Sequence, residues 1–182
     1  GIPTARIKKL SGETILKISA HGGLFSIENQ NLKNMKFVAD LHIHSKFSRA
    51  TAKNLDFENL YTAAQLKGIT VVGTGDFTHP GWFMEIRNKL VPSENGLFKL
   101  KDEIAAKCDE KVPYSCRACV RFILQTEVST IYKKAGRTRK NHNLVFMPDL
   151  SSAAALNSKL NRLGNIKSDG RPILGLDAKN LL

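Results

Sequence analysis

Four short apolar runs constrain this chain more than any other feature. Phe37–Ile43, Ile69–Val72, Val120–Val128 and Asn143–Met147 are rich in β-branched and aromatic residues, as buried strands are. Between the first two lies Asp56–Lys67, where Leu60, Ala63, Ala64 and Leu66 form an apolar helical face and Gly68 supplies the stop. Trp82–Leu90 predicts a second helix, and Phe98–Lys107 is compatible with a third. Asp149 or Ser151 can cap a helix running to about Leu163, which Gly164 ends. Ile166–Leu182 reads as a loop followed by a short strand or helix. Strand–helix alternation in this order argues for an α/β fold with a mainly parallel sheet. In such folds, chemistry gathers at the C-terminal ends of the strands.

Residues 1–34 differ in character from the rest of the chain. Lys8-Lys9, Gly22-Gly23 and the Asn-rich stretch 29–34 break any long periodicity, although Thr14–Ser19 could form a short strand. This segment is expected to be an appendage, with the chemistry-bearing region spanning 35–182. His21 is assigned no role.

The strand ends carry the interesting side chains. His42 and His44 sit two apart, so in an extended segment both point to one side. Two imidazoles placed that way make half of a metal site. Asp76 follows the second apolar run in Gly73-Thr-Gly-Asp76, where glycine lets the backbone approach closely. Glu127 lies in an otherwise apolar strand, and a buried lone carboxylate is costly without a cation. His142 introduces the fourth run. Singly, each has a plainer explanation: Asp76 fits a helix cap, and His142 fits a surface turn. Together they form a nitrogen and oxygen ligand set without thiolate, suited to zinc first and to manganese or iron as alternatives. Clustered divalent ions suit phosphoester hydrolysis.

Asp40-Leu-His-Ile-His-Ser45, Gly73-Thr-Gly-Asp-Phe77, Gln125-Thr-Glu127, His142-Asn-Leu-Val-Phe146 and Asp169-Gly-Arg-Pro172 together resemble the PHP (polymerase and histidinol phosphatase) superfamily, and its endonuclease Q branch in particular. The resemblance covers about residues 36–182. It implies a distorted β/α barrel with metal ions at its C-terminal mouth, and His42, His44, Glu127 and His142 as ligands with Asp76 as the next candidate. It further implies nicking of DNA on the 5′ side of deaminated bases. Two departures stand out. Ala50 occupies a position that carries a ligand in many members, and the later Ala-His and Asp-x-His motifs do not occur. The chain therefore resembles the N-terminal portion of such a domain, a partial barrel truncated before its last strands. Weak turnover, the missing C-terminal half as a partner, and self-association through exposed sheet edges are the corresponding expectations.

Charge fits a polyanionic partner. Twenty-eight Lys and Arg face 16 Asp and Glu, for a net charge of +12; such a balance favours nucleic acid. Lys133, Lys134, Arg137, Arg139 and Lys140, with Tyr132 beside them, form a basic hairpin turning near Ala135-Gly136. Arg49, Lys53 and Arg171 are further candidates for DNA contact. No apolar run approaches the ~20 residues that span a bilayer, so no membrane partner is expected. Three cysteines, an odd number, suggest a reducing, cytoplasmic setting rather than a disulfide framework. Cys116-Arg-Ala-Cys119 could be half of a zinc knuckle, but free cysteines in an insertion are the favoured reading.

The leading expectation is a metal-dependent phosphodiesterase acting on DNA. A small-molecule phosphatase of the histidinol-phosphate type is the first alternative. A non-catalytic nucleic-acid-binding module of a larger, helicase-like repair protein is the second.

Overall fold

The computed structural model describes residues 37–181 in full and the backbone of 19–21, 24–26 and 36. The expected boundary at 34/35 and most of the expected strand at 14–19 lie outside the described residues. The elements in chain order are strands β1 (Ser19–His21), β2 (Leu24–Ser26) and β3 (Lys36–Asp40), helix α1 (Phe57–Lys67), strand β4 (Val71–Gly73) and helix α2 (Pro80–Lys89). Strands β5 (Leu90–Pro92) and β6 (Phe98–Leu100) precede helix α3 (Asp102–Asp109) and a 3-10 turn at Tyr114–Cys116. Then come β7 (Arg121–Lys134), β8 (Arg137–Met147), α4 (Leu150–Leu163), β9 (Ile173–Leu174) and α5 (Ala178–Leu181).

Local chemistry explains the helix ends. Asp56 caps α1 by accepting from Asn59 N, and Gly68 closes it in the left-handed region at φ 68°. Helix α2 begins with Pro80, where a missing N–H costs nothing, and His79 caps it. Asp149 caps α4 through Ser152 N.

The sheet runs β1-β2-β3-β4-β7-β6-β5, with β8 and β9 flanking the outer half of β7. The expectation of a mainly parallel sheet is corrected to a mixed one. Pairings β3–β4, β4–β7 and β7–β9 are parallel, whereas β1–β2, β2–β3, β5–β6, β6–β7 and β7–β8 are antiparallel. The antiparallel pairs within one connection are hairpins, which need no crossover helix. Among the described residues the sheet is open. The expected helix at 98–107 also divides: Phe98 and Leu100 turn inward as β6, with Phe98 opposite Phe122, and the helix begins only at Asp102. The β5–β6 hairpin turns through Asn95-Gly96, with Gly96 at φ 76°. Among the described residues, no helix is long and apolar enough to cross a membrane.

Phe57, Trp82 and Phe122 form the centre of the core. Phe57 stacks on Trp82 at 4.3 Å and meets Phe122 edge-on at 5.3 Å. The indole Nε1 of Trp82 donates to the carbonyls of Thr74 and Gly75, each at 2.9 Å. A buried aromatic thereby pins the loop that carries Asp76. A second cluster, Val128, Leu160, Ile166 and Leu174, packs α4 and β9 on the outer half of β7.

Candidate metal centre

Strand β7 is the fixed element of the site. Its inner half pairs with β4 and β6, and its outer half with β8 and β9. Glu127 lies on this doubly paired strand and is 2% exposed. His42 and His44 do not end a strand as the sequence suggests, because β3 stops at Asp40. The segment 41–45 instead bends over Gly75, which has φ 66° and whose added Cβ would lie 3.0 Å from the Ile43 carbonyl oxygen. The two imidazoles nevertheless converge. His42 Nε2 and His44 Nε2 stand 3.0 and 3.1 Å from the same oxygen, Glu127 Oε2. His142, placed mid-strand in β8 rather than at a strand start, brings Nδ1 against the other oxygen, Glu127 Oε1. Arg171 Nη1 is 4.0 Å from Oε2.

His42, His44 and Glu127 form a group that could hold a metal ion, with their ligand atoms all within 4.8 Å of one another. The donor set is imidazole and carboxylate, which suits zinc, manganese or iron. The electrostatics agree with a clustered site. Burial works to raise the Glu127 carboxyl, but hydrogen bonds from His42 and His142 and the charge of Arg171 outweigh it, so it sits below the ordinary carboxylate range. The hydrogen bond to Asp76 raises His44 above its ordinary value against the opposing effect of burial.

Asp76 takes a different place from the other expected ligands. It is fully buried on the far side of His44 and held at φ 45°. Its Oδ2 accepts from Ser45 N at 2.6 Å, Ser45 Oγ at 2.7 Å and Ser48 Oγ at 2.9 Å. Its Oδ1 accepts from His44 Nδ1 at 3.0 Å. A carboxylate on one ring nitrogen directs the other toward the site. Residue 170 can only be small here: an added Cβ would stand 2.3 Å from Asp76 Oδ2 and 2.6 Å from Ser48 Oγ. The turn at 169–171 is thus pressed onto Asp76, with Gly170 N donating to the Phe47 carbonyl at 3.0 Å, and this places Arg171.

The remaining basic candidates are scattered. Arg49 pairs with Asp169 at 3.5 Å, Lys53 lies exposed in the loop after the histidines, and Lys134 pairs with Asp177 at 3.4 Å. Lys133, Arg137, Arg139 and Lys140 are exposed along the β7–β8 ribbon. His79 is a helix cap stacked on Phe47 at 4.3 Å, and its Nε2 donates to the Lys167 carbonyl at 3.0 Å. Its pKa is lowered, chiefly by burial. Cys108, Cys116 and Cys119 are free thiols and join no metal-type cluster among the described residues. Sequence reasoning missed Ser45, Ser48 and Gly170. The two serines follow the histidine pair directly, and a buried carboxylate needs such donors, but nothing in the sequence alone brings Gly170 to Asp76.

No family model matches the chain. An uncharacterised protein of Methanocaldococcus jannaschii is 29% identical over 144 residues, covering 79% of this chain and 14% of that protein. Among solved structures, the chain is similar to the lesion-specific endonuclease EndoQ of Pyrococcus furiosus, at 31% identity and a TM-score of 0.60. An endonuclease Q complexed with a 27-mer duplex substrate bearing an abasic lesion at the active site gives the same identity and score. In both structures the match covers 79% of this chain and 30% of the other. The chain is therefore similar in sequence and structure to part of endonuclease Q and spans less than a third of its length.

Proposed function

We propose that this chain carries part of the catalytic centre of a metal-dependent DNA phosphodiesterase of PHP type, an endonuclease that nicks on the 5′ side of deaminated or missing bases. The observation that carries the reading is the convergence of three imidazoles and a guanidinium on the two oxygens of one buried carboxylate, Glu127. Similarity to part of endonuclease Q supports it.

The roles follow from placement. His42, His44 and Glu127 Oε2 would hold one divalent ion. His142 and Glu127 Oε1 offer donors for a second, since a carboxylate can bridge. Such ions supply Lewis-acid polarisation of a phosphoryl oxygen and a water acidified to near-neutral pKa. Asp76, 3.0 Å from His44 Nδ1, would favour the tautomer with Nδ1 protonated and leave His44 Nε2 free to serve as a ligand. Arg171, 40% exposed and beside Glu127, is placed to bind a substrate phosphate bidentately.

Exposure of the site favours this reading over the small-molecule phosphatase. His42 and His142 are 54% and 60% exposed, which suits a polymer laid across the site. Clefts of about 340 and 540 Å³ lie elsewhere and contain none of these residues. The partial barrel remains part of the proposal: the segment of similarity is the portion of such a barrel that carries the first ligands.

The test is metal content by elemental mass spectrometry for the chain and for H42A/H44A, followed by nicking assays on duplexes containing uracil, hypoxanthine or an abasic site. Stoichiometric zinc, manganese or iron that the variant loses is the expected result. Absence of metal in both after loading would overturn the reading in favour of a nucleic-acid-binding module.

A further inference from the structure

The β7–β8 ribbon has two chemically different faces. Its register sets Glu127 opposite Leu144, Ser129 opposite His142, Ile131 opposite Lys140 and Lys133 opposite Thr138. Directly opposed residues share a face, and faces alternate along the strand. Ser129 Oγ lies 3.3 Å from His142 Nδ1, which marks this as the face of the metal centre. The other face carries Thr130 opposite Asn141, Tyr132 opposite Arg139, and Lys134 opposite Arg137. Its own contacts agree: Asn141 Nδ2 donates to the Tyr132 hydroxyl at 3.4 Å, and Lys134 pairs with Asp177. The five basic residues that the sequence presents as one cluster therefore divide. Lys140 and Lys133 share the face of Glu127 and His142, whereas Lys134, Arg137 and Arg139 face away.

On the first face the cations continue a line that starts in the site. Arg171 stands beside Glu127, and β9 runs parallel to β7 with Ile173 beside Ser129. Same-face positions on a strand recur about every 6.8 Å. The backbone of Lys140 thus lies about 7 Å beyond His142, and the row of Lys133 about 14 Å beyond it. Both lysines are exposed, and among the described residues neither is ion-paired. No Asp or Glu occurs from Val128 to Pro148. The geometry points to this face as the track for the phosphodiester backbone of one DNA strand leaving the metal centre, with Lys140 and Lys133 each neutralising a phosphate. The inference rests on the DNA phosphodiesterase reading for the identity of the polyanion.

Two double variants remove equal charge from opposite faces: K133A/K140A and R137A/R139A. Binding of a labelled duplex with an abasic site is followed by anisotropy from 50 to 200 mM salt, with chelator present so that cleavage plays no part. Each neutralised phosphate contributes about −0.9 to the slope of log K against log salt. K133A/K140A should flatten the slope by about 1.8, so that the unmodified chain loses about 12-fold more affinity across that range than the variant. R137A/R139A should leave the slope within about 0.5 of the unmodified value. Equal slopes for the two variants, or no change in K133A/K140A, would overturn the track. Because binding is read without metal, a face-specific slope persists even if the chain proves to hold no ion. Conversely, metal loading together with equal slopes would refute the track and leave the metal centre intact.

Discussion

Asp76→Asn isolates the part that a buried carboxylate plays in presenting His44. The substitution keeps shape and changes only what each oxygen position can do. At Oδ2 three donors converge, Ser45 N, Ser45 Oγ and Ser48 Oγ, at 2.6 to 2.9 Å. The backbone N–H of Ser45 cannot turn away, so the amide oxygen of asparagine must take that place. The amide NH2 then occupies the Oδ1 position, 3.0 Å from His44 Nδ1. Two donors would meet there unless the imidazole moves its proton from Nδ1 to Nε2. That tautomer presents an N–H, not a lone pair, to Glu127 and to any ion. Restoring the binding tautomer leaves a buried donor pair unsatisfied, at a cost of about 1–3 kcal/mol. This corresponds to about a 5- to 160-fold loss in metal affinity, which brackets the roughly 10- to 100-fold usual for an outer-shell partner of a ligating histidine. Global stability should fall by only about 1 kcal/mol, since three of four hydrogen bonds survive in weaker neutral form. Chelator-competition titration with zinc or manganese gives the affinity, and histidine-selective nitrogen NMR gives the tautomer. Unchanged affinity with His44 still carrying its proton on Nδ1 would refute the reasoning. So would a stability loss large enough to account for the metal loss by itself.

Gly170→Ala should destabilise the fold by about 1–3 kcal/mol, the cost of overpacking, because the new methyl group meets a carboxylate already held by four donors; an unchanged midpoint in urea denaturation would contradict this. Tyr61 is raised to about 12, first by burial and then by the charge of Asp109, so the folded chain keeps that proton longer than the unfolded one does. Stability is therefore intact below about pH 10 and declines as pH rises toward 12. In a tyrosinate absorbance titration one of the three tyrosines should ionise late, and Tyr61→Phe should abolish that phase.

How much was legible in the sequence depended on whether local chemistry or distant contacts decided each feature. The sequence places α2 two residues late, because its cap His79 and first residue Pro80 read as part of the preceding loop; helices α1 and α4 were legible because Asp56, Gly68 and Asp149 are end signals that act within a few residues. The Ala135-Gly136 turn was legible for the same reason: φ values of 50° and 71° define a two-residue hairpin of the I′ kind. The hairpin arm at 137–141 and the apolar run at 143–147 read as separate elements, because the arm lacks apolar residues; they are one strand, paired with β7 throughout. Strand β6 was hidden inside an apparent helix, because Phe98 and Leu100 suit either periodicity and only Phe122 decides between them. In the site, His42, His44, Glu127 and His142 were nameable from residue type and order. The separate position of Asp76 was not, because it depends on Ser45 and Ser48 supplying donors and on Gly170 closing over it, some 94 residues further along the chain.

The alternation of β7 ties stability and chemistry to one register. Its even positions Leu124, Thr126, Val128 and Thr130 are buried against the two cores and their surroundings, while Glu127, Ser129 and Lys133 form the face of the site and ribbon. Strand β8 contributes Val145 and Met147 to the core from the same face that carries Asn143 away from the site. A slip of one residue between these strands would exchange the faces of β8. Val145 and Met147 would go to the site side, and His142 would leave Glu127 for the interior. Val145 and Met147 are only partly buried, and the slip would bring Leu144 and Phe146, also apolar, to the core side in their place, so apolar burial alone does not choose the register. The two-residue turn at Ala135-Gly136 does, because turn type and loop length fix the pairing of a hairpin. The slip also has a polar cost: Glu127, 2% exposed, would lose His142, and a buried acceptor left one partner short costs about 1–3 kcal/mol. The register that presents His142 to Glu127 is therefore held by the turn and by the polar contacts of the site itself.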